Sequence, residues 1–275
     1  MIHDADGLRD AVEIVEHIIR AAQPPAMGRP QWWVQKSSVR GGVESVTNVD
    51  IEIEAAILGR LRCCWPSASI LSEESSPSPE ALSADLCFVV DPLDGTAELI
   101  SGSSSYAISV AMVCHREVVA AVVAYPGCSR SLSAYSGGGA ALDGLHISVS
   151  TRARLAEARI AVSPRQVADP RMKMLRDRLG KEVSLCPLGA LTPKVGGVCV
   201  GVFDAAVYLP LGGAAAVWDY AGAGFVLREA GGTLTAIDGA DLLTSLEFVH
   251  HGGWVASNGL LHRDLLEAIR ASVDH

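Results

Sequence analysis

VVDPLDGTAEL, running from Val89 to Leu99, sits uneasily at the end of a strand. Phe88, Val89 and Val90 read as the last residues of a buried hydrophobic strand. Two aspartates, a proline, a glycine and a threonine then follow within six positions. Uncompensated carboxylates in such a place repel each other and are costly to desolvate. Pro92 enforces a bend and Asp94-Gly95 is a common turn pair. Asp91 and Asp94, three residues apart, can therefore converge on one point at the strand end.

Converging carboxylates suit a hard divalent cation. Mg²⁺ takes oxygen ligands at about 2.0–2.1 Å and retains waters, leaving room for substrate oxygens. Few histidines or cysteines accompany the stretch, which disfavours zinc. The Thr96 hydroxyl is placed to orient an attacking water, and the chemistry implied is metal-assisted hydrolysis of a phosphate ester. Three other acidic stretches stand beside strands or at helix ends: Asp50 in VTNVD, Glu73–Glu74 in LSEES and Asp219 in VWDYAG. Taken singly, each has a plain alternative. Asp50 can cap a helix, Glu73 can be loop surface, and Asp219 can answer a helix dipole.

The totals narrow the class. With 275 residues, 49% hydrophobic and 19% charged, the chain is long and apolar enough for a substantial core. A formal net charge of −9 argues against a nucleic-acid polymer or an anionic membrane as the partner. A small phosphorylated metabolite stays open, because a cation can supply local positive charge. The seven cysteines form no C-x-x-C pair and mostly sit in apolar runs, so they read as reduced core thiols of a cytoplasmic protein. The acidic start MIHDADGLRD is not a signal peptide, and no apolar run reaches the roughly 20 residues of a membrane span.

Periodicity predicts mixed α/β structure without repeats. Leu8, Ala11, Val12, Val15, Ile18 and Ile19 share a helical face, stopped before Pro24 and Pro25. A second helix is expected over about 48–62, with Val49, Ile53, Ala56 and Ile57 inward and Glu52 and Glu54 on a solvated face. Strands are expected at about 68–72 and in LCFVVD, YAISVAMVC and EVVAAVVAYP. SGGGAALDG (136–144) reads as loop. The second half offers strands in ARIAVSP, KEVSLCPLG, AAVYLP, GTLTAID and GGWVASN. It also offers helices in DPRMKMLRDRLG, TPKVGGVCVGVFD, VWDYAGAGFVLREAGG and a final segment marked by Leu261, Leu265, Leu266 and Ile269.

The order D…EE…DPLDGT…WD-x-A-G resembles the lithium-sensitive, Mg²⁺-dependent phosphatases: inositol monophosphatases, 3′-phosphonucleotide phosphatases of the CysQ type and fructose-bisphosphatases. It extends over nearly the whole chain. The resemblance implies an α/β fold, an αβαβα layered sandwich of two sub-domains, 1–147 carrying the EE and DPLDGT motifs and 148–275 carrying WDYAG. It also implies two or three Mg²⁺ ions per site. Glu73, Asp91 and the Leu93 carbonyl would hold one ion, and Asp91, Asp94 and Asp219 the second. Glu74 would support the loop or reach a third ion through water. Asp50 and Thr96, together with the catalytic carboxylate Glu73, would activate the water, while Gly95 and Thr96 face the phosphate. Dimers are common in that family, so the resemblance leaves a homodimer open.

The substrate end departs from both patterns. Where inositol monophosphatases carry a glutamate seven residues before the WD aspartate, this chain has Gly212 in LPLGGAAAVWD. VSPRQVADPRMKMLRDRLG is similar to a segment of the nucleotide phosphatases and offers Arg165, although Pro164 and Gln166 interrupt it and Ala97 replaces their usual lysine. Lys194 matches a further family lysine loosely. The resemblance therefore implies a phosphomonoesterase for a nucleotide, sugar or cyclitol phosphate, leaning away from myo-inositol phosphate. The alternatives are an inositol-1-phosphate phosphatase proper and a catalytically silent binding protein.

Overall fold

A computed structural model describes residues 4–23, 30–75, 77–180 and 182–273. In its first half α1 (Ala5–Ala22) leads to a hairpin of β1 (Trp33–Ser37) and β2 (Val43–Thr47), then α2 (Asn48–Cys64) and β3 (Ser69–Ser72). Next come β4 (Leu86–Asp94), α3 (Thr96–Ser101), β5 (Ala107–Cys114), β6 (Glu117–Tyr125), β7 (Arg130–Tyr135), β8 (Gly139–Leu142) and β9 (Leu145–Ile147). The second half starts with β10 (Arg159–Val162), α4 (Pro170–Leu179), β11 (Ser184–Pro187), α5 (Leu191–Cys199) and β12 (Ala205–Tyr208). It continues through β13 (Ala214–Ala216), α6 (Val217–Glu229), β14 (Thr233–Ala236) and α7 (Leu242–Ser245). The last elements are β15 (Val249–His251), β16 (Trp254–Ser257) and α8 (His262–Val273).

Two sheets organise these elements. A seven-stranded sheet runs β3-β4-β5-β6-β7-β8-β9, parallel only between β3 and β4. A five-stranded sheet runs β11-β10-β12-β16-β14. Alternation along β4 shows why its sequence is apolar from Leu86 to Val90: successive side chains point to opposite faces, and both faces are covered. Phe88 and Val90 pack with Ile108, Val110 and Met112 against Leu8, Val12, Ile53 and Ile57 of α1 and α2. Cys87 and Val89 face the other way, into a core shared with Val195 of α5 and with Trp218 and Tyr220 of α6.

That second core also takes in Ala161, Ala206 and Ala256 of the five-stranded sheet, so α5 and α6 lie between the two sheets. The far face of the five-stranded sheet is closed by α4 and α8, through Met172, Leu175, Leu265 and Ile269 against Ile160, Val207 and Val255. The layers are helix, sheet, helix, sheet, helix, an αβαβα sandwich. Because the central core joins residues 71–140 to residues 161–256, the two halves share one interior. Helix α6 is buried from Val217 to Leu227, as a helix apolar on every side must be. Its small residues permit this. A Cβ on Gly222 would fall 2.2 Å from Ser109 Oγ of β5, so glycine sets the approach of α6 to the sheet.

Several expectations need correction. Glu54 is not on a solvated face: it is buried and accepts hydrogen bonds from Ser72 Oγ, Glu74 N (3.1 Å) and Ser75 Oγ (2.7 Å). It anchors the EE loop from beneath, whereas Glu52 is exposed as expected. The 136–144 loop contains β8, which pairs Leu132 with Leu142 and Tyr135 with Gly139. Only Cys87 and Cys199 are fully buried. Cys63, Cys64 and Cys128 are exposed: the first two close the end of α2 and the third ends a 3-10 turn between β6 and β7. Helix α1 ends at Ala22, and Pro24 and Pro25 lie outside the described residues. No helix among the described residues is long and apolar enough to cross a membrane.

Candidate active site

The β4 alternation continues into Asp91, which is buried and on the face that Val89 turns toward α6. The ladder with β5 slips between Asp91 and Asp94: Asp91 pairs with Ser109 and Asp94 with Ala107. This bulge changes the direction of the chain and brings the second carboxylate beside the first. Gly95 then turns with φ +110°, where a Cβ would meet Tyr106 Cβ at 2.9 Å and Ser105 O at 3.1 Å, so only glycine fits.

Asp219 arrives from the other half, in the first turn of α6. Its Oδ2 accepts from Ala216 N at 2.7 Å, which fixes the carboxylate and leaves Oδ1 to another partner. Carboxylate oxygens of Asp91, Asp94 and Asp219 lie within 4.8 Å of one another. Asp94 is held from below by the amide of Thr192 in α5, and Thr192 Oγ1 donates to Asp219 O at 3.1 Å. Thr192 thus joins two of the three acids, a role its sequence context did not signal.

The cluster is charged beyond what it can comfortably bear. Burial, and then the neighbouring Glu73, Asp94 and Asp219 charges, push the Asp91 carboxyl well above the usual carboxylate range. Burial and Asp219 raise Asp94 to about 6, and burial raises Glu73 to about 8 despite Arg40 nearby. Asp91 Oδ1 accepts from Leu93 N at 2.9 Å, but among the described residues its buried Oδ2 has no hydrogen-bond partner. An orphaned carboxylate oxygen inside three convergent acids fits a hard cation, and the all-oxygen donor set fits Mg²⁺.

A second unit lies alongside. Asp50 closes a capping box at the start of α2, its Oδ2 accepting from Thr47 N (2.8 Å) and Thr47 Oγ1. That leaves Oδ1 to accept from Thr96 Oγ1 at 2.7 Å, with Leu93 O 3.3 Å from the same hydroxyl. Asp50 therefore takes part in the capping box of α2, as its plain reading expected, and also accepts the Thr96 hydroxyl. Glu74 pairs with Lys36 of β1, and Glu73 pairs with Arg40 at 2.7 Å. Arg40, between β1 and β2, was missed in the sequence. The only local signal is an arginine followed by Gly41-Gly42 a short way upstream of Asp50.

A cleft of about 1000 Å³ opens over these groups, lined by Asp91, Asp94, Gly95 and Thr96 on one wall and by Arg165 and Gly212 on the other. Arg165 is exposed on a 3-10 turn (164–166) and makes no ion pair with any described residue. Gln166, which interrupts the family pattern, is buried: its Nε2 donates to Leu209 O (2.8 Å) and its Oε1 accepts from Leu209 N (3.0 Å). It ties the Arg165 turn to the Gly212 turn. Gly212 has φ +82° and open space where a Cβ would be. Lys194 does not reach the cleft lining. It is buried on α5, donates to Gly189 O at 2.7 Å and lies 5.6 Å from the Trp254 ring centroid, with its pKa pushed down to about 8 by burial. It props the Gly189 segment from inside.

A sequence profile of the Inositol monophosphatase family matches residues 11–274. The Nus factor SuhB of Pseudomonas aeruginosa is 31% identical over 232 residues, covering 82% of each chain. The fructose-1,6-bisphosphatase/inositol-1-monophosphatase of Thermotoga maritima is 27% identical over 234 residues, covering 85% of this chain and 86% of that one. Among solved structures, a Thermotoga maritima IMPase superposes with a TM-score of 0.78 at 24% identity, covering 98% of both chains, and supports the fold.

Proposed function

We propose that this chain, which belongs to the inositol monophosphatase family, removes phosphate from a small hydroxylated metabolite with the help of two Mg²⁺ ions. The observation that carries the reading is the buried, unpartnered Asp91 Oδ2 amid Asp94 and Asp219, opening on the cleft beside the Thr96–Asp50 pair. Glu73, Asp91 and the Leu93 carbonyl would hold one ion, and Asp91, Asp94 and Asp219 the other. Bound there, such ions supply Lewis acidity toward phosphate oxygens and make water acidic enough to attack at neutral pH.

The chain's own residues do the rest. Thr96 donates its one proton in a hydrogen bond to Asp50, so its oxygen lone pairs are free to accept a hydrogen bond from the attacking water. A proton leaving that water would pass through Thr96 to the Asp50 carboxylate. Asp50 fixes that hydroxyl's direction because Thr47 already occupies its other oxygen. The Gly95–Thr96 corner would lie against the phosphate, since both residues line the cleft. Positioning and charge stabilisation carry most of a phosphoryl transfer, so this preset geometry matters more than any covalent step.

The opposite wall supports a substrate other than myo-inositol phosphate. Gly212 presents no carboxylate to a polyol, and Arg165 offers an exposed cation at the rim. A sugar or nucleoside phosphate fits that open wall. The test is release of inorganic phosphate from a panel of inositol, sugar and nucleoside phosphates with and without Mg²⁺. Mg²⁺-dependent release from at least one ester is expected, with inhibition by Li⁺. No release from any ester would sink the enzymatic reading and leave the binding protein in its place.

A further inference from the structure

Arg40 lies on the carboxylates that the two-ion reading needs. Its Nη1 donates to Asp219 Oδ1 at 2.6 Å and its Nη2 to Glu73 Oε1 at 2.7 Å, with Glu44 Oε2 as a third acceptor. Asp219 Oδ1 is the oxygen that Ala216 leaves free, so the guanidinium holds the atom a cation would need. We infer that Arg40 is a tethered counter-ion of the acidic cluster, seated on Glu73 and Asp219 when no divalent cation is bound and displaced when one binds. This rests on the two-ion reading of the same site.

Three observations support exchange over a permanent bridge. First, charge balance: Glu73, Asp91, Asp94 and Asp219 crowd one place, and one guanidinium compensates them only in part. Two divalent ions compensate them fully and repel a third cation. Second, mobility: β1 and β2 form a separate two-stranded sheet, with Trp33, Val34, Val39 and Val43 exposed. At its tip Gly41 and Gly42 take φ of +88° and +80° with no atom within 4 Å of a Cβ, so the tip can swing without unpacking the core. Third, the tether: Glu44 stands four residues from Arg40 on the same hairpin and lines the cleft with it. A released Arg40 keeps one acidic partner.

The test compares wild type, Arg40→Gln and Lys36→Gln by calorimetric titration with MgCl₂ alone and by thermal melting in EDTA and in saturating Mg²⁺. Lys36 is the control, a cation of the same hairpin that pairs with Glu74 and Glu44 and makes no bond to Asp219. Arg40→Gln is expected to bind Mg²⁺ at least about tenfold more tightly, within the ordinary range of coupling between two ligands of one site. Its melting temperature should fall below wild type in EDTA and match it in Mg²⁺. A permanent structural bridge would instead lower the melting temperature equally in both. Equal or weaker Mg²⁺ binding by Arg40→Gln would overturn the inference, and so would an equal gain in Lys36→Gln, which would indicate a general charge effect. If Arg40→Gln does not fold, Arg40→Lys keeps a charge without the fork and is expected to bind Mg²⁺ more tightly than wild type by a smaller factor. Failure of all forms to bind Mg²⁺ would overturn the two-ion reading itself.

Discussion

The two walls of the cleft are built on different terms. On one side Asp50, Asp91, Asp94 and Asp219 are packed into the interior, each fixed by a named donor: Thr47, Leu93, Thr192 and Ala216. On the other side Arg165 and Gly212 stand on turns, one exposed and without an ion pair among the described residues, the other with no side chain at all. Groups that act on the phosphate must be preorganised, because their energy goes into the transition state. Groups that choose among substrates need only meet the rest of the ligand, and they tolerate change at little cost to the fold. On the proposed reading, the packed wall would set the reaction and the open wall the choice of ester.

The largest effect is expected on the packed wall. Asp94→Asn removes one charge from the cluster while keeping its size, and turnover should fall by about 10²–10³, the loss typical of one electrostatic group in a preorganised site. Fold and melting temperature should persist in EDTA, since the change relieves carboxylate repulsion. Near-normal Mg²⁺-dependent turnover in this variant would break the contrast between the walls.

Stability should register the same repulsion. The raised carboxyls of Asp94 (from 3.8 to about 6) and Glu73 (from 4.5 to about 8) are favoured protonated in the folded chain. Their contribution is fully present below the ordinary carboxylate pKa and is lost as pH rises through about 6 and then about 8. Melting in EDTA should therefore fall across that window, by about 2–4 °C for each kcal/mol lost. Excess Mg²⁺ should flatten the trend. A melting temperature that rises with pH in EDTA would mean that the cluster is already compensated. On the open wall the effect is smallest: Arg165→Gln should raise KM at most about fivefold with kcat unchanged, the scale of an exposed ion pair. A fall in kcat would place Arg165 with the packed wall instead.

The same contrast explains what was legible in the sequence. DPLDGT announced itself because buried charge at a strand end demands a reason, and the continuous apolar run Phe88-Val89-Val90 already read as the end of a buried strand. Asp219, which by itself reads as no more than a helix-dipole partner, was joined to the cluster only through the resemblance carried by WD-x-A-G. The β1–β2 hairpin was illegible: β1 is largely exposed, β2 buries only Val46 and Thr47 at its end, neither alternates clearly, and with the hairpin Arg40 went unseen. Glu54 was misplaced for the opposite reason. A glutamate on an amphipathic helix is nearly always solvated, and only the tertiary position of the EE loop makes this one an internal anchor. Gln166 looked like a defect in a motif, yet its amide replaces a missing strand partner for Leu209.

The site's central claim is that the acids from the two halves share divalent cations. Anomalous diffraction from crystals soaked in Mn²⁺ tests it most directly. The expected result is two peaks that share Asp91, one also touching Glu73 and the Leu93 carbonyl, the other also touching Asp94 and Asp219, with Arg40 moved off Asp219. Manganese bound elsewhere, or absent from the cluster at saturating concentration, would contradict it.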